Sequence, residues 1–204
     1  MSNVNKIALK NNDFYSFSKE YIKKLTSIFD TISKSSLNKL EKDFRNIRKN
    51  KKTLFVFGNG GGASTATTMA NDLGFDVMKK AKINNTFKII CLNDNSSVMT
   101  AISNDTGYEN IFFYQLKMQF KKGDSVLVFS ASGNSPNLIK AVKWVKENKG
   151  KVIGLIGFSG GKIKKYCNTL VHIKTKDGDY GPVEDLQLII NHILAHWFQV
   201  KLKK

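Results

Sequence analysis

The sequence predicts an α/β fold, a three-layer sandwich with a central parallel sheet, preceded by an N-terminal helical hairpin. Three observations carry that prediction. After residue 50, five short apolar runs alternate with helix-patterned segments. Two of these runs, ending at Phe57 and Phe129, pass straight into glycine- or serine-rich turns followed by helical patterns. The first fifty residues show helical periodicity alone.

In chain order, Phe14 to Lys34 carries Tyr15, Ile22, Leu25, Ile28, Phe29 and Ile32 at amphipathic-helix spacing. Ser35-Ser36 reads as the N-cap of a second helix through Arg48, with Leu37, Leu40, Phe44 and Ile47 on one stripe. The expected strands are Thr53–Phe57, Phe87–Leu92, Ser125–Phe129, Val152–Ile156 and Thr169–Ile173. Runs such as "VLVF" and "VIGLIG" have the unbroken apolar character of strands buried on both faces. Helices are expected at Thr65–Leu73, Asn110–Phe120, Ser135–Asn148 and Gly161–Cys167, and a last one from Pro182 to Lys201. The stretch "DVMKKAK", Asp76–Lys82, reads as a loop. With no linker, repeat or low-complexity segment, residues 1–204 read as one domain: 1–50 the hairpin, 51–204 the core with its C-terminal helix.

A chain of 204 residues with 41% hydrophobic content and 14 Phe is long enough for one sizeable core and short for two. No apolar run approaches the roughly 18 residues of a membrane span. The start, "MSNVNKIALKNNDFYSF", lacks the apolar core of a secretory signal. Cys91 and Cys167, without CxxC spacing, read as reduced thiols of a cytoplasmic protein. The net charge of +17 raises nucleic acid as a partner, yet only Arg45 and Arg48 among the 33 basic residues are arginines. Base reading leans on arginine forks. The expectation is a solvated lysine-rich surface that suits an anionic small substrate, with neither nucleic acid nor membrane as partner.

Gly58, Gly60 and Ala63 match a GxGxxA dinucleotide fingerprint. That fingerprint needs an acidic residue about 20 positions on, ending the second strand, to hold the ribose. "DVMKKAK" stands there, and the next strand ends only at Asn93-Asp94, so no nucleotide cofactor is expected. The second loop, "VFSASGNSPNLIKAV", places Ser135 as N-cap and Pro136 at the first helical position. Ser130, Ser132 and Ser135 put three hydroxyls beside unsatisfied helix N–H groups, where an anion is favoured. One serine there would read as a cap. Three around Gly133-Asn134 point to a phosphate.

These residues resemble the sugar isomerase (SIS) family and, within it, the phosphoheptose isomerases. The resemblance runs through the N-terminal hairpin, Gly58-Asn59-Gly60-Gly61, "TAISNDTGYENIF" at Thr100–Phe112, "GDSVLVFSASGNSPNLIKA" at Gly123–Ala141, and "VIGLIGFSGGKI" at Val152–Ile163. It implies a flavodoxin-like SIS fold and conversion of sedoheptulose 7-phosphate to an aldoheptose 7-phosphate through an enediol, for surface polysaccharide synthesis. Ser130, Ala131, Ser132 and Ser135 would hold the phosphate; Asn59, Gly60, Gly61, Asn104 and Asp105 would touch the sugar. A family serine is Gly62 here, and the middle hydroxyl of the phosphate loop is Ala131; each change removes about one hydrogen bond, ~1 kcal/mol.

The family's acid–base and zinc-binding positions, a His and a Glu four apart and a Gln and a His eight apart, carry Thr68, Asp72, Glu184 and His192. By that resemblance Asp72 and Glu184 are competing bases and His192 the acid. The same three are the candidates for a divalent metal. Thr68 replaces a histidine ligand and is a poor zinc donor. Asp72 is one methylene shorter than the family glutamate, and Asp76 stands near where an arginine is often found. On the last helix, Glu184 and Asn191 are expected to face away from the stripe Leu186, Ile190, Ile193 and Trp197, with His192 at its edge. The family assembles as tetramers with active sites between subunits, so a homo-oligomer is expected. The altered metal position keeps open a second possibility, a non-catalytic SIS protein that binds a sugar phosphate or a protein partner.

Overall fold

The computed structural model describes residues 2–203, so the ends of the expected 1–204 domain, Met1 and Lys204, lie outside it. Helices α1 (Asn3–Lys10), α2 (Phe14–Phe29) and α3 (Lys34–Lys49) precede strand β1 (Thr53–Gly58). Then come α4 (Gly61–Met69), a π-helical stretch Ala70–Asp76, α5 (Val77–Ala81), β2 (Lys88–Cys91), α6 (Ser96–Thr106), a 3-10 turn Tyr108–Asn110 and α7 (Ile111–Gln119). The chain continues with β3 (Ser125–Ser130), α8 (Pro136–Glu147), β4 (Lys151–Gly157), a 3-10 turn Ile163–Tyr166, β5 (Thr169–Ile173) and α9 (Tyr180–Lys201).

The five strands stand where the apolar runs are. All pair in parallel, in the order β2-β1-β3-β4-β5, with Leu54 opposite Ile89 and Ser125, and Ile153 opposite Thr169. Alternation along each strand divides the core into two layers. Leu54, Val56, Leu127, Phe129, Ile153 and Leu155 pack under the layer of α2, α3, α4 and α9. Phe55, Phe57, Val126, Val128 and Val152 pack under the layer of α7 and α8. The result is the three-layer α/β sandwich. The strand order reverses between β1 and β3, and in such sheets the crevice beyond the C-terminal strand ends at that point is where ligands bind.

Several boundaries differ from the sequence reading. The helix expected over Phe14–Lys34 stops at Phe29, and the next is capped by Ser33, whose hydroxyl accepts from the Ser36 N–H, in place of Ser35-Ser36. "DVMKKAK" is helical for most of its length, continuing the first-loop helix through a π stretch to Ala81. Only Val77 and Ala81 of α5 are buried, too short a pattern to read. Gly161–Cys167 is reduced to the short 3-10 turn. Helices α1 and α6 lie outside the helices expected from the sequence, and neither contains a buried residue.

The hairpin and the final helix share one aromatic cluster. Phe44 of α3, Phe87 before β2 and Phe198 of α9 lie with ring centroids 6.0, 6.5 and 4.9 Å apart. Phe198 is fully buried. Phe198→Ala is therefore expected to cost about 3–5 kcal/mol, read as a lower urea midpoint with an unchanged slope.

Candidate active site

The two loops predicted from sequence meet across the β1/β3 crevice, and asparagines tie them together. Asn59 and Asn137 exchange amide hydrogen bonds at 3.0 and 2.8 Å, and the Tyr108 hydroxyl donates to Asn59 Oδ1 at 3.2 Å. Asn137 is buried, so this pair is a fixed strut between the loops. From the other side Asn93 clamps Gly58, its amide donating to the Gly58 carbonyl at 3.0 Å and accepting from the Gly58 N–H at 3.2 Å. Asp94 accepts from the Thr67 hydroxyl. The position where a ribose-binding acid would be needed is thus taken up by loop scaffolding.

The helix starts differ in what they leave free. At α4, the Gly61 N–H donates to Glu184, the Gly62 N–H to the Asn59 carbonyl, and the Ala63 and Ser64 N–H groups to the Gly60 carbonyl. At α8, Ser135 stands at the N-cap but its hydroxyl makes no capping bond, and Pro136 follows. The Ser130 hydroxyl accepts from the Gly133 N–H at 2.9 Å and the Ser132 hydroxyl from the Asn134 N–H at 3.2 Å. Both serines keep an O–H to donate. The hydroxyls of Ser130, Ser132 and Ser135 thus stand together at the start of α8, beside the Ala131 backbone.

A third loop props this cradle. The Ile163 N–H donates to the Gly133 carbonyl and the Lys162 N–H to Asn134 Oδ1, both at 3.0 Å. Gly133 has φ +65°, and a Cβ there would lie 2.2 Å from the Gly160 carbonyl oxygen. This position accepts glycine alone.

The three acid–base candidates separate into two places. Helices α4 and α9 run side by side in the same direction, Gly61 against Glu184 and Asp72 against Asn191 and His192. Glu184 stands at the glycine loop, where a Cβ on Gly61 would come within 2.4 Å of its carboxyl carbon. Burial, joined by the charge of Asp185 and opposed by the Gly61 N–H, raises its pKa above the usual carboxylate range. Asp185 is occupied by the Tyr21 hydroxyl. His192 lies eight residues further along α9, roughly 12 Å at helical rise. Its Nε2 is 3.6 Å from Asp72 Oδ2, and Asn191 Nδ2 donates to that same oxygen at 2.8 Å. Asn191 is fully buried, against the expectation that it faces outward. Asn104 and Asp105 are exposed near the end of α6, Asn104 donating to Asp105, and Tyr108 beyond them is the residue that reaches Asn59.

Residues 20–157 match the family model described as the SIS domain. The chain belongs to the SIS domain family. Its relatives include the phosphoheptose isomerase of Nitratiruptor sp., 34% identical over 72% of this chain and 76% of that one. Phosphoheptose isomerase 2 of Campylobacter jejuni is also 34% identical, over 87% of this chain and 83% of its own length. Among solved structures, the phosphoheptose isomerase of Neisseria gonorrhoeae superposes with a TM-score of 0.77 at 23% identity, covering 89% of this chain and 96% of that one.

Within this SIS domain the donors expected to hold a metal are dispersed. The Thr68 hydroxyl turns back to the Ser64 carbonyl at 2.9 Å. Glu184 is held at Gly61, apart from the Asp72–His192 pair. Among the described residues no three His, Cys, Asp or Glu side chains are grouped closely enough to hold a metal ion. The expected ligand set does not fit a resident metal, and no step is routed through one. Sequence reasoning missed Asn93, Asn137, Tyr108 and Asn191 as site-builders. Asn137 alone had a visible signal, the polar residue following Ser135-Pro136.

Burial raises the Cys91 thiol to about 11 and the Cys167 thiol to about 12, which disfavours the thiolate at both. Among the described residues no helix is long and apolar enough to cross a membrane.

Proposed function

We propose that this SIS domain isomerises a heptose 7-phosphate of the sedoheptulose type in the cytoplasm, supplying a precursor for lipopolysaccharide or capsule. One observation carries the reading: a serine phosphate cradle and a partly desolvated carboxylate, Glu184, flank the same β1/β3 crevice. The phosphate binds Ser130, Ser132, Ser135 and the Ala131 backbone. Asn59, Gly60 and Gly61 line the sugar's path toward Glu184. Asn104 and Asp105 lie on the outer wall of that path.

Glu184 takes the proton from C1 of the ketose. The electron pair forms the C1–C2 enediol as the C2 oxygen gains a proton. Return of a proton to C2 and loss of the O1 proton complete the aldose. A carboxylate held by one N–H keeps its second oxygen for this transfer. Asp72 and His192, further down the α4–α9 groove, form a separate polar pair. The test is conversion of sedoheptulose 7-phosphate followed by proton NMR, with a thermal-shift titration of the same sugar.

Thr68 in place of a ligating histidine favours a second reading, a non-catalytic sugar-phosphate binder. That reading requires a raised melting temperature without turnover.

The assembly follows from α9. Ile189, Ile193 and Trp197 form an exposed stripe beside a groove of about 660 Å³ shared with Phe29, Leu37 and Leu40. A second copy of this chain covers that stripe, as the first contact of a tetramer. Trp197→Asp is expected to shift the protein to a smaller species in light scattering; an unchanged mass would place the interface elsewhere.

A further inference from the structure

We infer that the Asp72–His192 pair of this chain is metal-free, and that the buried Asn191 amide fills the position on Asp72 that a metal would need. The inference deepens the isomerase reading above and rests on it for the identity of the reaction. Its grounds are geometric. A divalent metal at the Asp72–His192 pair would take the lone pairs of Asp72 Oδ2 and His192 Nε2, which lie 3.6 Å apart. Asp72 Oδ2 already receives the Asn191 Nδ2 hydrogen at 2.8 Å. An N–H donor directed at that oxygen repels a cation there. Its opposite end, Asn191 Oδ1, is buried without a partner, so the amide is committed to Asp72 and gains nothing by turning over.

The remaining donors are also committed. Thr68 is spent on its own helix, Asn71 Nδ2 donates to Asp72 Oδ1 at 3.2 Å, and Glu184 is bound at Gly61. The polar pocket around the pair, about 260 Å³, adds Asp76, Lys80 and His196. Its second carboxylate is neutralised, Asp76 Oδ2 pairing with Lys80 Nζ at 3.0 Å. The imidazoles of His192 and His196 also line this pocket, yet among the described residues no three His, Cys, Asp or Glu side chains are grouped closely enough to hold an ion, where a catalytic zinc keeps three protein ligands. Asn191 thus orients Asp72 toward His192 in place of a metal.

The experiment measures zinc directly. The full chain, produced with zinc supplementation and dialysed, is assayed by inductively coupled plasma mass spectrometry and by competition against a chromophoric chelator. We expect substoichiometric zinc and no competition. Stoichiometric zinc retained through dialysis would overturn the inference. The variant Thr68→His/Asn191→Ile, which adds an imidazole one turn before Asp72 and removes the amide, is expected to gain stoichiometric zinc; a folded variant that gains none would overturn the assignment of the loss to these positions. Asn191→Asp, which replaces the donor by an acceptor, is expected to create measurable zinc affinity without the other changes, and its failure to do so would count against the blocking role. Zinc content decides the inference even where sedoheptulose 7-phosphate is not turned over, a result that strikes the functional reading instead. Where turnover is present, it is expected to be unchanged by EDTA.

Discussion

Replacing Gly133 by alanine is expected to reduce sedoheptulose 7-phosphate turnover at subsaturating substrate by at least ~100-fold, about 2.7 kcal/mol. The left-handed backbone alone costs a non-glycine residue roughly 1–2 kcal/mol. The larger effect is the collision. A methyl group at Gly133 meets the Gly160 carbonyl oxygen at 2.2 Å, and both partners are main chain, so neither can rotate away. Relief requires the serine loop to part from the Gly160-Gly161 loop, which breaks the Ile163-to-Gly133 hydrogen bond. The cradle then loses its shape while the sheet beneath persists. The contrasting variant is Ser135→Ala. Its hydroxyl makes no capping bond, so stability is expected to hold within about 0.5 kcal/mol. Affinity for the phosphorylated sugar is expected to fall roughly tenfold, the worth of one hydrogen bond to a charged group. Equal losses of stability and binding would return Ser135 to a structural role.

Glu184→Gln is expected to lower kcat by roughly 10²–10⁴-fold with little change in KM, the signature of a lost proton-transfer group. The sign of the pH dependence follows from the raised pKa of this carboxyl. A base must be ionised, so activity falls as pH drops through the raised value, above the usual 4.5 of a glutamate. The acid limb of the rate profile should therefore lie above the ordinary carboxylate range and disappear in the Gln variant. Gly61→Ala tests the same contact without touching the carboxylate. Its new methyl group would stand 2.4 Å from the Glu184 carboxyl, which must swing away. A fall in kcat with intact folding is the expected outcome. Wild-type kcat in either variant would remove Glu184 from the chemistry.

What the sequence made legible follows from how each element is buried. The strands were readable because both of their faces are covered, leaving unbroken apolar runs such as Val126–Phe129. The serine turn at the start of α8 was readable because a strand, the serines and Pro136 fall in one short window. Helix α1 was missed because it is only eight residues long, although Val4, Ile7 and Ala8 stand at helical spacing, and α6 because its apolar residues are few and none is buried. That Glu184 meets Gly61 while His192 meets Asp72 was hidden, because spacing along a helix does not say what stands opposite each turn. Asn191 was misjudged for a related reason. Helix α9 is covered on a broad face that includes Val183, Gln187, Asn191, Ala195 and Phe198, so polarity did not mark its outer side. Gln187 illustrates the same point, donating from full burial to the Leu155 carbonyl at 2.8 Å.

On this mechanism a proton moves between adjacent carbons of a phosphorylated ketose at the Glu184 end of the crevice. The most direct measurement is proton NMR of sedoheptulose 7-phosphate incubated with the protein in deuterium oxide, beside the Glu184→Gln variant. The account predicts loss of a C1 proton signal through exchange with solvent and growth of an aldose signal, both suppressed in the variant. A C1 signal that persists with the wild-type protein, under conditions where the sugar raises its melting temperature, would contradict it.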